Sequence, residues 1–108
     1  MRKFVRRGVA HLENHGNRRV NLKQLEAFKA IMSTGSTIGA ATRMGLSQSA
    51  VSRLLTQLEE ALGFALFLRK KGRLMATPEA EVLLAEVAGL VDGIQRIQRV
   101  ADELRIGR

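Results

Sequence analysis

The polar residues at the start of the segment 48–62 have the types and spacing of a surface that contacts DNA bases. Gln48, Ser49, Ser52 and Arg53 lie close together and, on a helix, occupy its first turns. A glutamine amide can pair with adenine through two hydrogen bonds, and an arginine can reach guanine or a phosphate. The pattern predicts base contacts from these four residues. A solvated polar helix face has the same pattern, so the helix alone does not separate the two interpretations.

Hydroxyl side chains at the expected starts of two helices have the chemistry of phosphate ligands. Phosphate is bound by hydroxyl groups and by the free N–H groups of helix N-termini. Ser36 and Thr37 precede one apolar periodic segment, Ser47 precedes the next, and Thr56 lies on the polar side of the latter. We expect phosphate contacts from these four residues, together with simple helix capping by the first ones.

A short basic segment accounts for a large share of the net charge of +8. The range 63–78 contains four cations and no acid, and the range 1–20 carries a further excess of basic residues. A basic loop of this kind can bind the DNA backbone or a narrow minor groove, although it can also serve only solubility. The predicted wing contacts are Arg69, Lys70, Lys71 and Arg73.

The sequence lacks the residues that several classes of function require. The sequence has no Cys, which excludes disulfides, thiolate metal sites and thiol nucleophiles. His11 and His15 have the spacing of a helical metal pair, but they are the only two histidines and no Cys can complete a site. No apolar run approaches the length of a membrane span. We therefore expect no enzymatic activity, no metal, no cofactor and no membrane association, and a cytoplasmic location.

Three helices are predicted to position these side chains. Asn21 with Gln24 forms a capping box before a helix that ends at Gly35. A second helix runs from Thr37 to Met44, and its expected buried residues are Ile38, Ala41 and Met44. After a turn at 45–47, the third helix covers 48–62 and buries an apolar stripe, namely Val51, Leu54, Leu55, Leu58 and Leu62.

A hairpin and a long helix are predicted to follow. The apolar runs 64–68 and 74–76 flank the basic turn 69–73. Thr77 and Pro78 then start a helix that reaches about Leu104. Val82, Leu84 and Val91 are expected to broaden its apolar face against the chain's own domain. A heptad seam favours pairing with a second helix, and its members are Leu83, Val87, Leu90, Ile94, Ile97, Ala101 and Leu104.

The range from Asn21 to Glu81 resembles the N-terminal winged helix-turn-helix of LysR-type bacterial transcriptional regulators. The matching stretches are NLKQLEAFKAI, GSTIGAATRMGLSQSAVSRLLTQLEEALG and ALFLRKKGRLMATPEAE. The resemblance implies a mainly α winged helix-turn-helix, with three helices and a small β-hairpin wing, followed by a long linker helix. It also implies a homodimer whose linker helices pair antiparallel. An effector-sensing domain, the expected place of any small-molecule effector, normally follows and is absent from this chain.

The sequence departs from the family pattern at a few positions. Ser49 stands where proline is usual, Thr37 where an aromatic residue is common, and Leu68 where an acid often precedes the wing arginine. Thr37 is expected to alter the neighbouring packing, and Leu68 to leave the wing more positive. Val20 precedes Asn21 where the family commonly begins with Met, so residues 1–19 are interpreted as an upstream extension.

These observations give one preferred function and one alternative. The preferred function is sequence-specific binding of double-stranded DNA by a homodimer, at a partly palindromic site and in association with the nucleoid. The expected organisation is a basic arm at 1–20, a DNA-binding domain at 21–78 and a linker or dimerisation helix at 79–108. The alternative is a coiled-coil interaction protein with only non-specific affinity for nucleic acid. RNA binding is disfavoured because only four aromatic residues are present.

Overall fold

The computed structural model describes residues 19–107, which form four helices and one β-hairpin. The predicted arm at 1–20, including His11 and His15, lies outside these residues except for Arg19 and Val20. The predicted fold class, a mainly α winged helix-turn-helix followed by a long helix, is confirmed. The elements are α1 (Leu22–Thr34), α2 (Thr37–Met44), α3 (Gln48–Leu62), β1 (Phe67–Lys70), β2 (Arg73–Ala76) and α4 (Pro78–Ile106).

The helices begin and end where local capping groups stand. Asn21 Oδ1 accepts from the Gln24 backbone N–H at 2.9 Å, and Gln24 Oε1 accepts from the Asn21 N–H at 3.1 Å. This capping box supplies partners for backbone donors that a helix start leaves open. Ser36, Ser47 and Thr77 cap the three later helices through a side-chain oxygen that accepts from one backbone N–H, without the reciprocal bond of a capping box. The predicted bounds of α1, α2 and α3 are therefore confirmed, whereas α4 continues to Ile106, two residues beyond the predicted end.

The core consists of two adjoining clusters with different contents. The cluster between α1, α2 and α3 is built mainly of small residues, namely Ala27, Ala30, Ile31, Ala40, Ala41 and Val51. The second cluster joins α1 to the end of α3, the wing and α4, and contains Phe28, Leu58, Leu66, Ala80, Val87 and Val91. Leu55 and Phe67 pack against both clusters, so the two halves of the core are continuous.

The predicted burial of Ile38 is wrong, because 63% of this residue is exposed. Ala40 and Ala41 are the buried residues of α2, and Met44 is half-buried. Residues two apart lie on nearly opposite sides of a helix. Burial of Ala40 therefore turns Ile38 away from the core and toward the side of α2 that faces α3 and the wing.

The hairpin is shorter and tighter than predicted. β1 and β2 pair antiparallel from Phe67 with Ala76 to Lys70 with Arg73. Only Lys71 and Gly72 lie between the strands, with φ angles of 51° and 76°. Positive φ at both central positions is typical of the type I′ turn, which matches the twist of the flanking strands. The turn was predicted to cover residues 69–73, but it consists of Lys71 and Gly72 only. Arg69, Lys70 and Arg73 belong to the strands.

The base of the wing is fixed by a side chain of α3. Glu59 Oε2 accepts from the backbone N–H of Leu66 at 2.7 Å and of Phe67 at 3.2 Å. From the other side, the Thr77 hydroxyl lies 3.0 Å from the carbonyl oxygen of Ala65, and the Thr77 N–H donates to Leu66 O at 2.9 Å. The segment that leads into β1 is therefore attached both to α3 and to the start of α4.

The first half of α4 packs on the chain's own core. Val87, predicted to contact a partner helix, is only 3% exposed and belongs to the second cluster, so no partner can cover it. Leu83 is half-buried against the same cluster. Of the residues expected to broaden this inward face, Leu84 and Val91 do so, but Val82 is exposed. The predicted seam therefore points inward in its first half.

We expect Glu59→Ala to lower the free energy of unfolding by about 2 kcal/mol, because two backbone donors lose their shared acceptor. Glu59→Gln keeps an amide oxygen of similar reach and should lose less than half of that. Chemical denaturation followed by circular dichroism would measure both variants. Equal losses for Ala and Gln would show that the acceptor oxygen is not what stabilises the base of the wing.

Candidate nucleic-acid interface

A three-residue turn sets the geometry between α2 and α3. Gly45 has φ 69° and its N–H caps α2, while the Leu46 N–H donates to Ala41 O at 3.0 Å. The Leu46 side chain packs against the first core cluster. Ser47 then caps α3, and its side chain accepts from the Ala50 N–H at 3.1 Å. Two helices joined by such a turn form a helix-turn-helix, which presents the second helix to a DNA groove.

The four predicted base contacts lie at the start of α3. Gln48, Ser49 and Arg53 are exposed, and Ser52 is half-buried. Ser49 and Arg53 lie on the side of α3 opposite the buried Val51, whereas Gln48 and Ser52 lie at the edge of that exposed side. The structure thus brings these side chains together on one accessible surface.

Of the four predicted phosphate contacts, two are helix caps and two are not. Ser36 Oγ accepts from the Gly39 N–H at 2.9 Å, as Ser47 does at the start of α3. Capping uses a lone pair of the hydroxyl oxygen and not its proton, so the same hydroxyl can still donate to a phosphate. Thr37 is half-buried at the first position of α2, and Thr56 is exposed on α3.

A groove of about 440 Å³ unites α2, α3 and the wing. The first turn of α2 lines one side and Gln48 continues it, while Arg69 and Arg73 come from the two wing strands. The two arginines are the charged residues of its lining, so the groove attracts anions. The complete lining is Gly35, Ser36, Thr37, Ile38, Gln48, Arg69, Gly72, Arg73 and Leu74.

The wing cations have different surroundings. Arg69 Nη1 donates to Gly72 O at 3.3 Å, which holds its guanidinium against the turn. Lys70 and Lys71 are exposed and lie outside the lining of the groove. Arg73 is exposed and lines it. Of the four predicted wing contacts, the two arginines are therefore the ones placed beside the helix-turn-helix.

Sequence reasoning missed two features of this surface. Ile38 lines the groove instead of the core, because the sequence alone did not fix which side of a short helix is buried. Gly39 allows a close approach to the end of α1, since a Cβ there would lie 2.9 Å from Thr34 Cβ and 3.0 Å from Ser36 Oγ. Glycine destabilises a helix, so its presence inside the short α2 could have indicated that another part of the chain packs closely there.

The second half of α4 carries an exposed apolar stripe. Leu90, Ile97, Val100 and Leu104 are exposed, and with Gly93 they are spaced three and four residues apart in alternation. This is again a heptad pattern, which shares Leu90, Ile97 and Leu104 with the predicted seam and adds Gly93 and Val100. Of the other seam residues in this half, Ile94 is half-buried and Ala101 is exposed. A Cβ on Gly93 would meet nothing within 4 Å, so the chain's own packing does not require a glycine there.

Metal-binding and membrane-spanning features are both missing from the described part of the chain. Residues 19–107 contain no group of three or more His, Cys, Asp or Glu residues placed to hold a metal ion. Within the same range, no helix combines the length and the apolar character needed to cross a membrane.

Comparison with known proteins identifies the domain. The sequence model described as "Bacterial regulatory helix-turn-helix protein, lysR family" matches residues 22–81. The regulatory protein NocR of Agrobacterium fabrum is 45% identical over 86 residues, which are 80% of this chain and 29% of NocR. The transcriptional activator protein LysR of Escherichia coli is 41% identical over 86 residues, which are 80% of this chain and 28% of LysR. The chain therefore spans about three tenths of the length of these relatives.

Solved structures share the fold. The oxidized form of OxyR from Corynebacterium glutamicum superposes with a TM-score of 0.77 at 28% identity, over 84% of this chain and 28% of OxyR. The BenM DNA-binding domain, in complex with the catB site 1 DNA, superposes with a TM-score of 0.75 at 25% identity, over 82% of this chain and all of the BenM domain. The relatives named are transcriptional regulators and not enzymes. The chain belongs to the LysR family of bacterial regulatory helix-turn-helix proteins, and it carries the helix-turn-helix DNA-binding domain of that family.

Proposed function

We propose that this chain binds double-stranded DNA sequence-specifically as a homodimer and thereby regulates transcription. The observation that carries the proposal is the groove in which the first turns of α2 and α3 meet two wing arginines. Such a groove offers hydroxyls, a base-reading amide and positive charge along one path. Hydroxyls and cations of this kind bind DNA phosphates, which positions a protein on the duplex, while contacts to base edges specify the sequence. The BenM domain, which shares this fold, is itself in complex with DNA.

In this proposal α3 enters the major groove. Its base-reading residues are Gln48, Ser49, Ser52 and Arg53, all near the N-terminal end of the helix, where a recognition helix contacts bases. Phosphates on either side are bound by the hydroxyls of Ser36, Thr37, Ser47 and Thr56. Ile38, which is exposed in the groove, can add an apolar contact to the sugar or to a thymine methyl group.

The wing supplies attraction that does not depend on sequence. Arg69 and Arg73 face the groove, while Lys70 and Lys71 extend the positive surface to the tip of the hairpin. Arginine is favoured where the minor groove is narrow and its potential most negative. The wing therefore fixes the position of the domain on the duplex while α3 selects the sequence.

The exposed stripe of α4 supports the homodimer. Leu90, Ile97, Val100 and Leu104 are large or branched apolar residues on one face of a helix that extends beyond its own core. A second α4 offers the same heptad face and would remove these side chains from water. Two DNA-binding domains related by a twofold axis would bind a partly palindromic site, with half-sites at least about one helical turn (~34 Å) apart.

The remaining assignments follow from this arrangement. Residues 21–78 are assigned as the DNA-binding domain and 79–108 as the linker and dimerisation helix, in a cytoplasmic protein that joins the nucleoid when it binds DNA. No enzymatic activity or cofactor is assigned. The apolar stripe of α4 also favours one alternative, a coiled-coil interaction protein with only non-specific affinity for nucleic acid.

We expect Arg73→Ala to weaken binding to all DNA sequences, because it removes a cation of the groove. The slope of log K against log salt concentration should become shallower by about 1 for each phosphate that the variant no longer binds. Titrations by fluorescence anisotropy at several salt concentrations measure this slope. Arg99→Ala, which removes an exposed cation of α4, is the matched control and should change the slope little. Equal slopes for Arg73→Ala and the unaltered chain would exclude the wing contact.

Gln48→Ala should relax base preference at one position of each half-site and cost about 1–3 kcal/mol there. Binding-site selection from random DNA, with the unaltered chain and with the variant, reports this change. The salt slope should stay the same, because no charge is removed. Equal losses of affinity on the selected site and on random DNA would refute base reading by Gln48.

Replacing Leu90 and Ile97 together by Asp should convert the dimer to a monomer and remove cooperative binding to paired half-sites. The physical reason is that two charges would have to be buried against the partner helix. Replacing Gln95 and Gln98 by Asp introduces the same charge at exposed positions outside the stripe and should leave the dimer intact. Analytical ultracentrifugation and gel shifts at two salt concentrations measure both properties.

A variant of the stripe that stays dimeric would place the interface elsewhere. Loss of dimers without any change in DNA binding would favour the alternative interaction protein. Circular dichroism on both double variants keeps unfolding from being mistaken for dissociation.

A further inference from the structure

One side-chain hydrogen bond joins the two helices of the helix-turn-helix at their DNA-facing ends. Gln48 Nε2 donates to Thr37 Oγ1 at 3.1 Å. Thr37 is the first residue of α2 and Gln48 the first residue of α3, and both line the groove with Arg69 and Arg73. A residue assigned to phosphate binding thus contacts one assigned to base reading.

The bond leaves the Gln48 amide with the groups that adenine requires. A glutamine amide has two N–H donors and one carbonyl acceptor. One N–H is used by Thr37, so one N–H and Oε1 remain. Adenine presents an acceptor at N7 and a donor at N6 in the major groove, and the remaining pair matches them. Rotation of the amide by 180° would exchange its donor and acceptor and destroy the match.

The Thr37 hydroxyl alone does not forbid that rotation. A hydroxyl can donate or accept, so it could equally donate its proton to Oε1 of a rotated amide. The situation changes when the hydroxyl proton is donated to a third group. Thr37 Oγ1 can then only accept a hydrogen bond from Gln48, so the amide nitrogen of Gln48, and not its oxygen, must face Thr37. A DNA phosphate is the natural third group, since Arg69 and Arg73 draw phosphate into the same groove.

We propose that Thr37 is a positioning residue for base recognition, which orients the Gln48 amide for adenine when its own hydroxyl donates to a DNA phosphate. The inference rests on the proposed base contact of Gln48. It assigns to Thr37 a role in specificity in addition to affinity. Phosphate binding and base reading are then coupled, because the correct amide orientation is enforced only on a duplex whose backbone is seated in the groove.

The test uses the whole 108-residue chain, three single variants and one double variant that combines Gln48→Ala with Thr37→Val. Thr37→Val removes the hydroxyl and keeps the branched shape, whereas Thr37→Ser keeps the hydroxyl. Gln48→Ala removes the base-reading amide. Binding-site selection with the unaltered chain gives a site, and affinities are then measured for that site and for duplexes with each base pair replaced in turn. Thermal melting of each variant confirms that it is folded.

We expect Gln48→Ala to relax one base pair in each half-site. Thr37→Val should reduce the preference for the correct base at that same base pair roughly threefold to tenfold. This range corresponds to the entropic cost of ordering the Gln48 side chain, which Thr37 would no longer restrain. Thr37→Ser should retain discrimination. With Gln48→Ala already present, Thr37→Val should weaken binding to all sequences but change no base preference further.

Failure of this inference and failure of the proposed function have different outcomes. If Gln48→Ala changes no base preference, Gln48 does not read a base, and both the proposed contact and the inference are overturned. If Gln48→Ala relaxes a base pair but Thr37→Val lowers affinity uniformly, Thr37 binds phosphate only and the inference alone is overturned. Equal loss of discrimination in Thr37→Val and Thr37→Ser also overturns it, because the hydroxyl would then not be the responsible group.

Discussion

Close packing of small side chains between α1, α2 and α3 is the constraint on which the proposed DNA-binding surface depends. Ala27 and Ala40 are fully buried where these helices meet, and Val51 of α3 completes the contact. A helix of eight residues such as α2 is not stable by itself, so its position is set by this contact. A larger side chain at any of these places would push the helices apart and change the angle at which α3 is presented.

The surface itself is fixed at two further points that involve polar groups. Glu59 attaches the start of the wing to the C-terminal part of α3, and the bond between Thr37 and Gln48 joins its N-terminal end to α2. Hydrogen bonds therefore hold both ends of α3, while Val51 and Leu58 between them are held by burial. Ser49 and Arg53 take part in none of these supports, whereas Gln48 is both a support of α3 and an exposed side chain.

The bounds of the first three helices could be predicted from the sequence, because neighbouring residues determine where a helix begins and ends. Caps and left-handed glycines are short-range features, so the bounds of α1 to α3 could be stated from the sequence. The predictions for Ile38 and Val87 were wrong because apolar periodicity gives a stripe on a helix but not the neighbour that covers it. The contact between Thr37 and Gln48 was not foreseen, since it joins residues that only the completed turn brings together. The roles of the candidate site residues in DNA binding stay predictions.

The continuous helix α4 also has a consequence for the geometry of the DNA that the protein accepts. Its 29 residues form a rigid rod, of which the exposed apolar stripe occupies the far half. One heptad of such a rod is roughly 10 Å long. In an antiparallel pair, a displacement by one heptad would change the separation of the two DNA-binding domains by about three base pairs at 3.4 Å each. In the proposed homodimer, the register of the two paired helices would then decide which half-site spacing is bound.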